Sequence, residues 1–245
     1  FINFITNPKY IMVLATIGIF LAIYLFGAIL YGDKGFTKLR TFAMLFVDNA
    51  YIGISAVGMT MVLITGGIDL SVAAVASLTG MFIAYGTTVL GIDPILCMVF
   101  SIVVGVMLGL GMGALVTYLK IPPFVATLTG MFLARGVCSL ISRDSISINN
   151  DLIDKMASWK VYFMTLKDGE WVKIKPVAYI NLNVVLFIVM IIIGTYILQK
   201  TRFGRNVYAI GGNEQSARLM GLPVDKTKMM VYAFNGLCSA LAGIA

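Results

Sequence analysis

The residue types that carry most protein chemistry are sparse in this chain. It has no histidine, so neither a histidine-based triad nor a histidine metal site can form. Its three cysteines, Cys97, Cys138 and Cys238, lie far apart in apolar runs and indicate neither a metal site nor a disulfide framework. The P-loop pattern G-x-x-x-x-G-K-[ST] is missing, so the chain does not hold ATP phosphates in such a loop. We predict no catalytic residue, no metal, no cofactor and no enzyme activity.

The polar groups that remain interrupt apolar stretches, where charge is costly and faces a protein interior or water. They are Asp48-Asn49, Asp69 and Arg135. For Asp48 and Arg135, a structural ion pair or a place near a helix end is the plainer explanation. Asp69 follows two glycines, and two interpretations stay open: it caps the next helix, or it lines a polar path through the membrane.

Composition defines the class of protein. Of 245 residues, 60% are hydrophobic and 12% are charged, about half the roughly 25% usual for soluble domains. The mean hydropathy is +0.96. These values exclude a soluble enzyme, and the long continuous apolar runs exclude an outer-membrane barrel. We predict an all-α polytopic membrane protein. The net charge of +7 comes from basic residues in loops between spans, which points to a lipid bilayer and not to nucleic acid.

The apolar runs predict six spans and the start of a seventh, since a helix needs about 20 apolar residues to cross the hydrocarbon core. The predicted spans are residues 11–31, 41–65, 70–90, a fourth ending near 119, 124–141, 181–198, and 229 onward. The second span would cover roughly 37 Å, which places Asp69 near one membrane face. The chain begins at Phe1 and ends at Ala245 within an apolar run, so we expect a piece of a longer chain that is cut within its seventh span.

Two polar stretches, residues 142–180 and 199–228, are expected on opposite sides of the membrane. Each carries six Lys or Arg residues, so charge alone does not fix the orientation. The longer stretch, 142–180, is favoured outside because its mixed charges and two tryptophans suggest a small folded cap. In the fourth span, Gly105, Gly109 and Gly113 form a repeated G-x-x-x-G, which predicts close helix packing.

A short helix outside the membrane is predicted within residues 211–223. Asn213 suits the N-cap and Glu214 the first turn, while Gly221 suits the C-terminal end and Pro223 prevents continuation. A helix this short is only marginally stable by itself, so we expect neighbouring residues to stabilise it by packing. From these residues alone, a plain loop between spans and a docking element for a partner remain equal alternatives.

Three blocks of the sequence resemble the permease subunits of carbohydrate-importing ABC transporters of the ribose/arabinose/galactose type. They are Asp48-Asn49-Ala50 with Gly58-Met59-Thr60 and Gly66-Gly67-Ile68-Asp69-Leu70-Ser71; Ile121-Pro122-Pro123-Phe124-Val125-Ala126-Thr127-Leu128 with Gly130-Met131 and Arg135-Gly136; and Arg202-Phe203-Gly204-Arg205-Asn206-Val207-Tyr208-Ala209-Ile210-Gly211-Gly212-Asn213, continuing to Gly221. The second block, running on to Ser145-Ile146-Ser147-Ile148-Asn149, is most similar to the permease of a galactofuranose importer.

The resemblance implies that residues 1–245 are a single transmembrane permease domain in the bacterial inner membrane. It implies a cytoplasmic ATPase, a periplasmic sugar-binding protein and a second permease subunit as partners, and about three further spans after Ala245. The N-terminus and the coupling loop 199–228 would lie inside, and 142–180 in the periplasm. Within that loop, Gln215-Ser216-Ala217-x-x-x-Gly221 looks like the E-A-A-x-x-x-G pattern that docks into the ATPase, although Gln215 and Ser216 depart from it.

Two sets of functional residues follow as expectations from this resemblance. The ATPase-coupling set is Asn213, Glu214, Gln215, Ser216, Ala217, Arg218 and Gly221, with Ala217 facing the ATPase groove. The polar side chains expected to line the translocation path are Asn49, Asp69, Ser71 and Thr127. The alternative function is a secondary transporter driven by an ion gradient, which would use carboxylates at mid-membrane; the positions of Asp48 and Asp69 toward span ends count against it. A membrane-embedded enzyme lacks any nucleophile–base pair.

Overall fold

The computed structural model describes residues 8–167, 170–173 and 177–245. The helices in this part are α1 (Pro8–Tyr31), α2 (Leu39–Ile64), α3 (Val72–Thr88), α4 (Pro94–Thr117), α5 (Pro123–Ile141), α6 (Asp151–Ser158), α7 (Leu182–Lys200), α8 (Arg202–Gly212), α9 (Glu214–Leu219) and α10 (Val224–Ile244). The strands are β1 (Lys160–Tyr162), β2 (Met164–Lys167), β3 (Glu170–Lys173) and β4 (Tyr179–Asn181).

The predicted all-α membrane class is confirmed. Within the described residues, five helices are long and apolar enough to cross a bilayer, namely α1, α2, α4, α5 and α7. The expected third span is the shorter helix α3, with 17 residues. The expected seventh is α10, which buries 11 of its 21 residues among other helices and carries Asn235 and Ser239 in its apolar run. A helix covered by protein need not be as apolar as one facing lipid, so the number of crossings stays a prediction.

One prediction about the polar stretch 199–228 is wrong, and one helix within it was not predicted. The last helix begins at Val224, directly after Pro223, and not at residue 229. The segment before residue 213 contains the 11-residue helix α8, which was not predicted. Its buried residues, Gly204, Val207 and Ile210, recur every three residues and mark one packed face of an amphipathic helix. The backbone N–H of Gly204 donates to Thr201 Oγ1 at 3.1 Å, which caps this helix.

The described chain divides into two compact units. One comprises residues up to 46 together with residues 161–180. In it, Tyr24 of α1 packs against Phe36 and Phe42 at ring-centroid distances of 5.3 and 6.4 Å. Strands β2 and β3 form an antiparallel hairpin, and β1 pairs with β4. These strands begin within residues 142–180, and the small folded cap expected there stays a prediction.

The other unit comprises residues 47–160 and 181–245, and its centre is the contact between α4 and α10. The G-x-x-x-G face of α4 packs backbone to backbone on α10. A Cβ added at Gly105 would lie 2.8 Å from the carbonyl oxygen of Gly236, and one at Gly113 would lie 2.9 Å from the Cα of Met229. At Gly109 it would collide with the carbonyl oxygen of Tyr232. The predicted close packing is confirmed, and only glycine fits at these positions.

Contacts within this unit group its loops at two ends. At one end, the backbone of Gly211 in α8 lies against the carbonyl of Ile64, where α2 ends. At the same end, Thr127 in the first turns of α5 reaches the carbonyl of Ile68 at 3.3 Å. At the other end, Thr88 of α3 lies 3.4 Å from the carbonyl of Ser147. The loops after α2, α4 and α7 thus share one end, as successive crossings require.

Candidate functional site

The short helix α9 has the capping that the sequence predicted. The backbone N–H of Ser216 donates to Asn213 Oδ1 at 2.8 Å, and the helix covers Glu214–Leu219. Gly221 follows with φ +76°, a left-handed conformation that a side chain disfavours. The chain therefore reverses sharply at this glycine and enters α10 three residues later.

The expected orientation of Ala217 is wrong. Its side chain is completely buried within this chain, in a cluster with Ile210 of α8 and Val224 of α10. The small side chain does permit a close approach, but the approach is of α9 to its own neighbouring helices. This packing braces a helix too short to be stable by itself.

The outer face of α9 is formed by other residues. Gln215 and Ser216 are exposed. Leu219 and Met220, at the end of the helix, are 83% and 67% exposed, although both are large and apolar. An apolar pair projecting from a polar segment outside the membrane-length helices is the kind of surface that binds a protein partner. Sequence reasoning missed these two residues, although an apolar pair between Arg218 and Gly221 was a readable signal.

Ion pairs tie α9 to the first turns of α10. Arg218 binds Glu214 within the same helix at 3.2 Å, and it also pairs with Asp225 of α10. Lys228 of α10 reaches back to the other oxygen of Glu214. These four side chains form one alternating network of charges. Each exposed ion pair alone stabilises the folded state by only about 0.2–1 kcal/mol. The main effect of the network is therefore to fix the angle between α9 and α10.

Titration behaviour follows this network. Burial tends to raise the pKa of Glu214, but hydrogen bonds and charges from Lys228 and Arg218 outweigh it and hold that pKa below its ordinary value. The hydrogen bonds to the carboxylates of Asp225 and Glu214 raise the pKa of the Arg218 guanidinium. Both shifts favour the charged forms of Glu214 and Arg218.

A cavity of about 450 Å³ lies beside the network. Glu214, Arg218 and Lys228 line one side of it, and the turn from Lys120 to Pro123 lines the other. Lys120 has φ +53°, which is unusual for a residue with a side chain. The turn that leads into α5 and the ion-pair network thus face the same space.

A second polar cluster surrounds Asp69, which is 5% exposed. One carboxylate oxygen, Oδ1, accepts from the backbone N–H and the hydroxyl of Ser71 at 2.8 and 2.6 Å. The other, Oδ2, accepts from Asn235 Nδ2 of α10 at 2.7 Å. The capping prediction needs correction, because Ser71 occupies the N-cap position of α3 and Asp69 binds that residue instead. The bond to Asn235 was not predicted.

The four residues expected along a translocation path separate into two groups. Asp69, Ser71 and Thr127 come together, because the Thr127 hydroxyl lies 2.8 Å from the carbonyl of Pro123 and 3.3 Å from that of Ile68. All three are buried. Asn49 is exposed on α2, 15 residues before the end of that helix at Ile64, or about 22 Å along its axis.

Two buried polar atoms near this cluster have no hydrogen-bond partner in the described part of the chain. They are the hydroxyl of Tyr232 and Oδ1 of Asn235. A Cβ added at Gly67 would lie 2.6 Å from that hydroxyl, and one at Gly58 would lie 2.5 Å from Oδ1. Both glycines belong to the motif blocks of the sequence. Asn235 could have been found from the sequence, since a polar residue inside an apolar run is a functional signal in a membrane protein.

The fold and these clusters define a multi-pass helical membrane protein whose buried helix α10 is tied to a short helix outside the bundle. Comparison with known families places it more closely: residues 41–245 match the family described as branched-chain amino acid transport system / permease component. The chain belongs to this family of transport permeases, a class of proteins that are not enzymes, as the sequence predicted.

Several curated proteins are similar to the chain. It is 40% identical over 229 residues to the inner membrane ABC transporter permease protein YjfF of Escherichia coli, covering 94% of this chain and 65% of that protein. It is 36% identical over 244 residues to the fructose import permease protein FruG of Bifidobacterium longum, covering 99% of this chain and 69% of that protein. It is 38% identical over 191 residues to the ribose import permease protein RbsC of Bacillus subtilis, covering 78% of this chain and 55% of that protein.

The chain therefore spans between 55% and 69% of the length of these three relatives. No solved structure matches it. The predicted resemblance to the permeases of carbohydrate-importing ABC transporters is confirmed.

Proposed function

We propose that this chain belongs to the permease subunit of an ABC importer that carries a sugar across the bacterial inner membrane. A periplasmic sugar-binding protein delivers the cargo, a cytoplasmic ATPase supplies the energy, and a second permease subunit completes the path. The names of the relatives, which include fructose and ribose import permeases, support a carbohydrate as cargo. The narrower likeness to a galactofuranose importer stays a prediction.

The observation that carries this proposal is the braced helix α9 with its exposed apolar end. Its docking face consists of Gln215, Ser216, Leu219 and Met220, which point away from this chain. The other residues of the expected coupling set hold α9 in position. Asn213 caps its start and Gly221 forms the turn after its end. Ala217 packs it against α8 and α10, and the ion pairs of Glu214 and Arg218 fix it to α10. The coupling set thus divides into residues that touch the ATPase and residues that hold the helix.

Helix α10 is suited to transmit a movement of α9 into the membrane. Asp225, which binds Arg218, precedes Asn235 by ten residues, so the ion pair lies about 15 Å along the helix from the bond to Asp69. The backbone contacts with α4 leave little room for sliding between those points. In this account Asp69 connects the loop after α2 to α10, and Thr127 connects the same loop to α5. Of the four path candidates, the exposed Asn49 is the one that can meet a sugar hydroxyl.

Topology follows from the docking role. The loop 199–228 then lies in the cytoplasm as the coupling loop, and residues 142–180 lie in the periplasm, where the binding protein approaches. The N-terminus lies inside, and residues 1–245 act as a single transmembrane permease domain of the complete subunit.

A secondary transporter is the alternative function, and one observation favours it. Asp69 is a buried carboxylate without an ion-pair partner among the described residues, a feature of proton- and ion-coupled carriers. The arrangement around it favours the importer, because both of its oxygens already accept hydrogen bonds from this chain.

Transport in proteoliposomes separates the two functions. The complete permease, reconstituted with the ATPase that co-purifies with it, is supplied with binding protein and radiolabelled ribose or fructose. The importer requires enclosed ATP and continues when an ionophore collapses the proton and sodium gradients. Uptake without ATP that stops with the ionophore would replace the proposal by the alternative.

A further inference from the structure

The basic residues at the beginning of α8 differ from those around α9. Lys200, Arg202 and Arg205 are exposed, and no acidic residue occurs between positions 199 and 213. None of the three forms an ion pair with any residue that the structure describes, whereas Arg218 and Lys228 are both paired. Arg202 and Arg205 are three residues apart and therefore share one face of the helix. We call these three residues the basic patch.

The basic patch lies where a membrane helix ends. Helix α7 is a 19-residue apolar helix with little of its surface buried, and its last residue is Lys200. Tyr196, in its last turns, is 63% exposed. Arg202 follows after one residue, so the patch emerges at the edge of the bundle, at the level of the lipid headgroups.

The position of α8 is fixed. At Gly204, a Cβ would collide with the carbonyl oxygens of Ile197 and Leu198, so the start of α8 lies directly against the end of α7. On its inner face, Val207 is completely buried in a cluster with Val62 and Val231. The inner face is thus covered by protein, and the basic patch, with the half-exposed ring of Tyr208, faces outward.

We propose that the basic patch binds the phosphate headgroups of anionic phospholipids. Two guanidinium groups and an ammonium group supply the donors that phosphate oxygens need, and arginine can bind a phosphate with two parallel hydrogen bonds. Tyr196 and Tyr208 have the apolar body and polar tip that settle at the membrane interface. This lipid site goes beyond the proposed function, because it requires only that α7 lies in a bilayer.

The test titrates a fluorescent phosphatidylglycerol onto the complete permease in an uncharged detergent. The variant Lys200→Gln/Arg202→Gln/Arg205→Gln should lose affinity by about a hundredfold, since each cation near an anionic lipid surface contributes about a fivefold factor. The matched control, Lys155→Gln/Lys160→Gln/Lys226→Gln, makes the same change of charge at exposed sites elsewhere and should stay within about twofold. A phosphatidylcholine probe should not distinguish the proteins.

Equal affinity of the patch variant and the native protein, or equal losses in both triple variants, would overturn the proposal. The variant Arg202→Lys/Arg205→Lys keeps the charge and should retain most of the binding, which separates lost charge from lost folding. The patch could instead contact the ATPase. If the patch variant lost ATPase in a pull-down while keeping its lipid affinity, the surface would be part of that protein interface and the lipid site would be refuted.

Discussion

Asp69 and Asn235 are joined by a hydrogen bond of 2.7 Å although 166 positions separate them in the sequence. The bond connects the loop after α2 to the middle of α10. Both side chains are buried, and the second carboxylate oxygen of Asp69 is occupied by Ser71. Both oxygens of Asp69 therefore accept hydrogen bonds, and the donor on the α10 side is the amide of Asn235.

This arrangement predicts the result of exchanging the two side chains. Asp69→Asn should cost about 1–2 kcal/mol, because Asn235 can rotate its amide and present its unpartnered Oδ1 to the new amide. Asn235→Asp sets two buried carboxylates against each other and should cost about 3–5 kcal/mol. The double exchange restores one donor and one carboxylate, so it should recover at least half of that loss.

Denaturant titration of the complete permease in detergent gives the free energy of unfolding of the native protein and of these three variants. Together the four values form a double-mutant cycle. The account would be contradicted if Asn235→Asp alone were as stable as the native protein. It would also be contradicted if the exchange were simply additive, since additivity means that the two side chains do not interact.

The contact between α4 and α10 predicts opposite effects at two glycines of one helix. Gly109→Ala drives a methyl group into the carbonyl of Tyr232 and should cost about 1–3 kcal/mol or prevent folding. Gly111→Ala meets nothing within 4 Å and should be neutral or stabilising by up to about 1 kcal/mol. Thermal melting of the two purified variants gives the comparison, and similar melting temperatures would mean that this helix contact is misplaced.

The turn at Gly221 depends on backbone conformation alone. Its φ is +76° and no atom lies within 4 Å of an added Cβ, so Gly221→Ala should cost about 1–2 kcal/mol from backbone strain and nothing from collision. Gly221→Val should cost more, and Gly221→Asn less. The control Gly212→Ala also has open space but no left-handed conformation. Equal melting temperatures for Gly221→Val and Gly212→Ala would count against the turn.

Cysteine labelling tests the proposed topology. In a protein whose Cys97, Cys138 and Cys238 are replaced by alanine, single cysteines are placed at Lys155 in α6 and at Lys226 in α10, both of which are exposed. An impermeant maleimide added to right-side-out vesicles should label position 155 and leave position 226 unlabelled until the vesicles are opened. The reverse pattern would invert the topology.

The sequence predicted well what local physics determines. The membrane helices follow from long apolar runs, and the ends of α9 follow from Asn213 and Gly221, whose effects act within one helical turn. The glycines of α4 signalled a close contact, but not that α10 would be the partner. The three motif blocks together indicated the family correctly.

Contacts between residues far apart in the sequence could not be predicted from local patterns. Whether Ala217 faces a partner or its own chain depends on where α8 and the start of α10 lie, and α8 itself was hidden because its sequence is only weakly apolar. The bond between Asp69 and Asn235 closes a loop of more than 160 residues, and no local pattern encodes its partner. The hairpin side chains around Lys173, which the sequence analysis placed in the periplasm, lie outside the residues whose side chains are described.

The docking surface is the central claim, and the division of labour within α9 makes it testable. Leu219→Ser/Met220→Ser removes two exposed apolar side chains and should leave the melting temperature unchanged. Ala217→Glu forces a charge into a fully buried site and should lower it, so any loss of ATPase binding in that variant arises through misfolding. The matched control is Val89→Ser/Leu90→Ser, an exposed apolar pair at the other end of the same unit.

The most direct measurement is a quantitative pull-down of the ATPase by the complete permease, carried out with these variants in detergent. The account predicts that Leu219→Ser/Met220→Ser weakens ATPase binding at least tenfold while the protein melts as the native one does, and that Val89→Ser/Leu90→Ser binds normally. Undiminished ATPase binding by Leu219→Ser/Met220→Ser would contradict the account, because the exposed end of α9 would then not be the surface that the ATPase recognises.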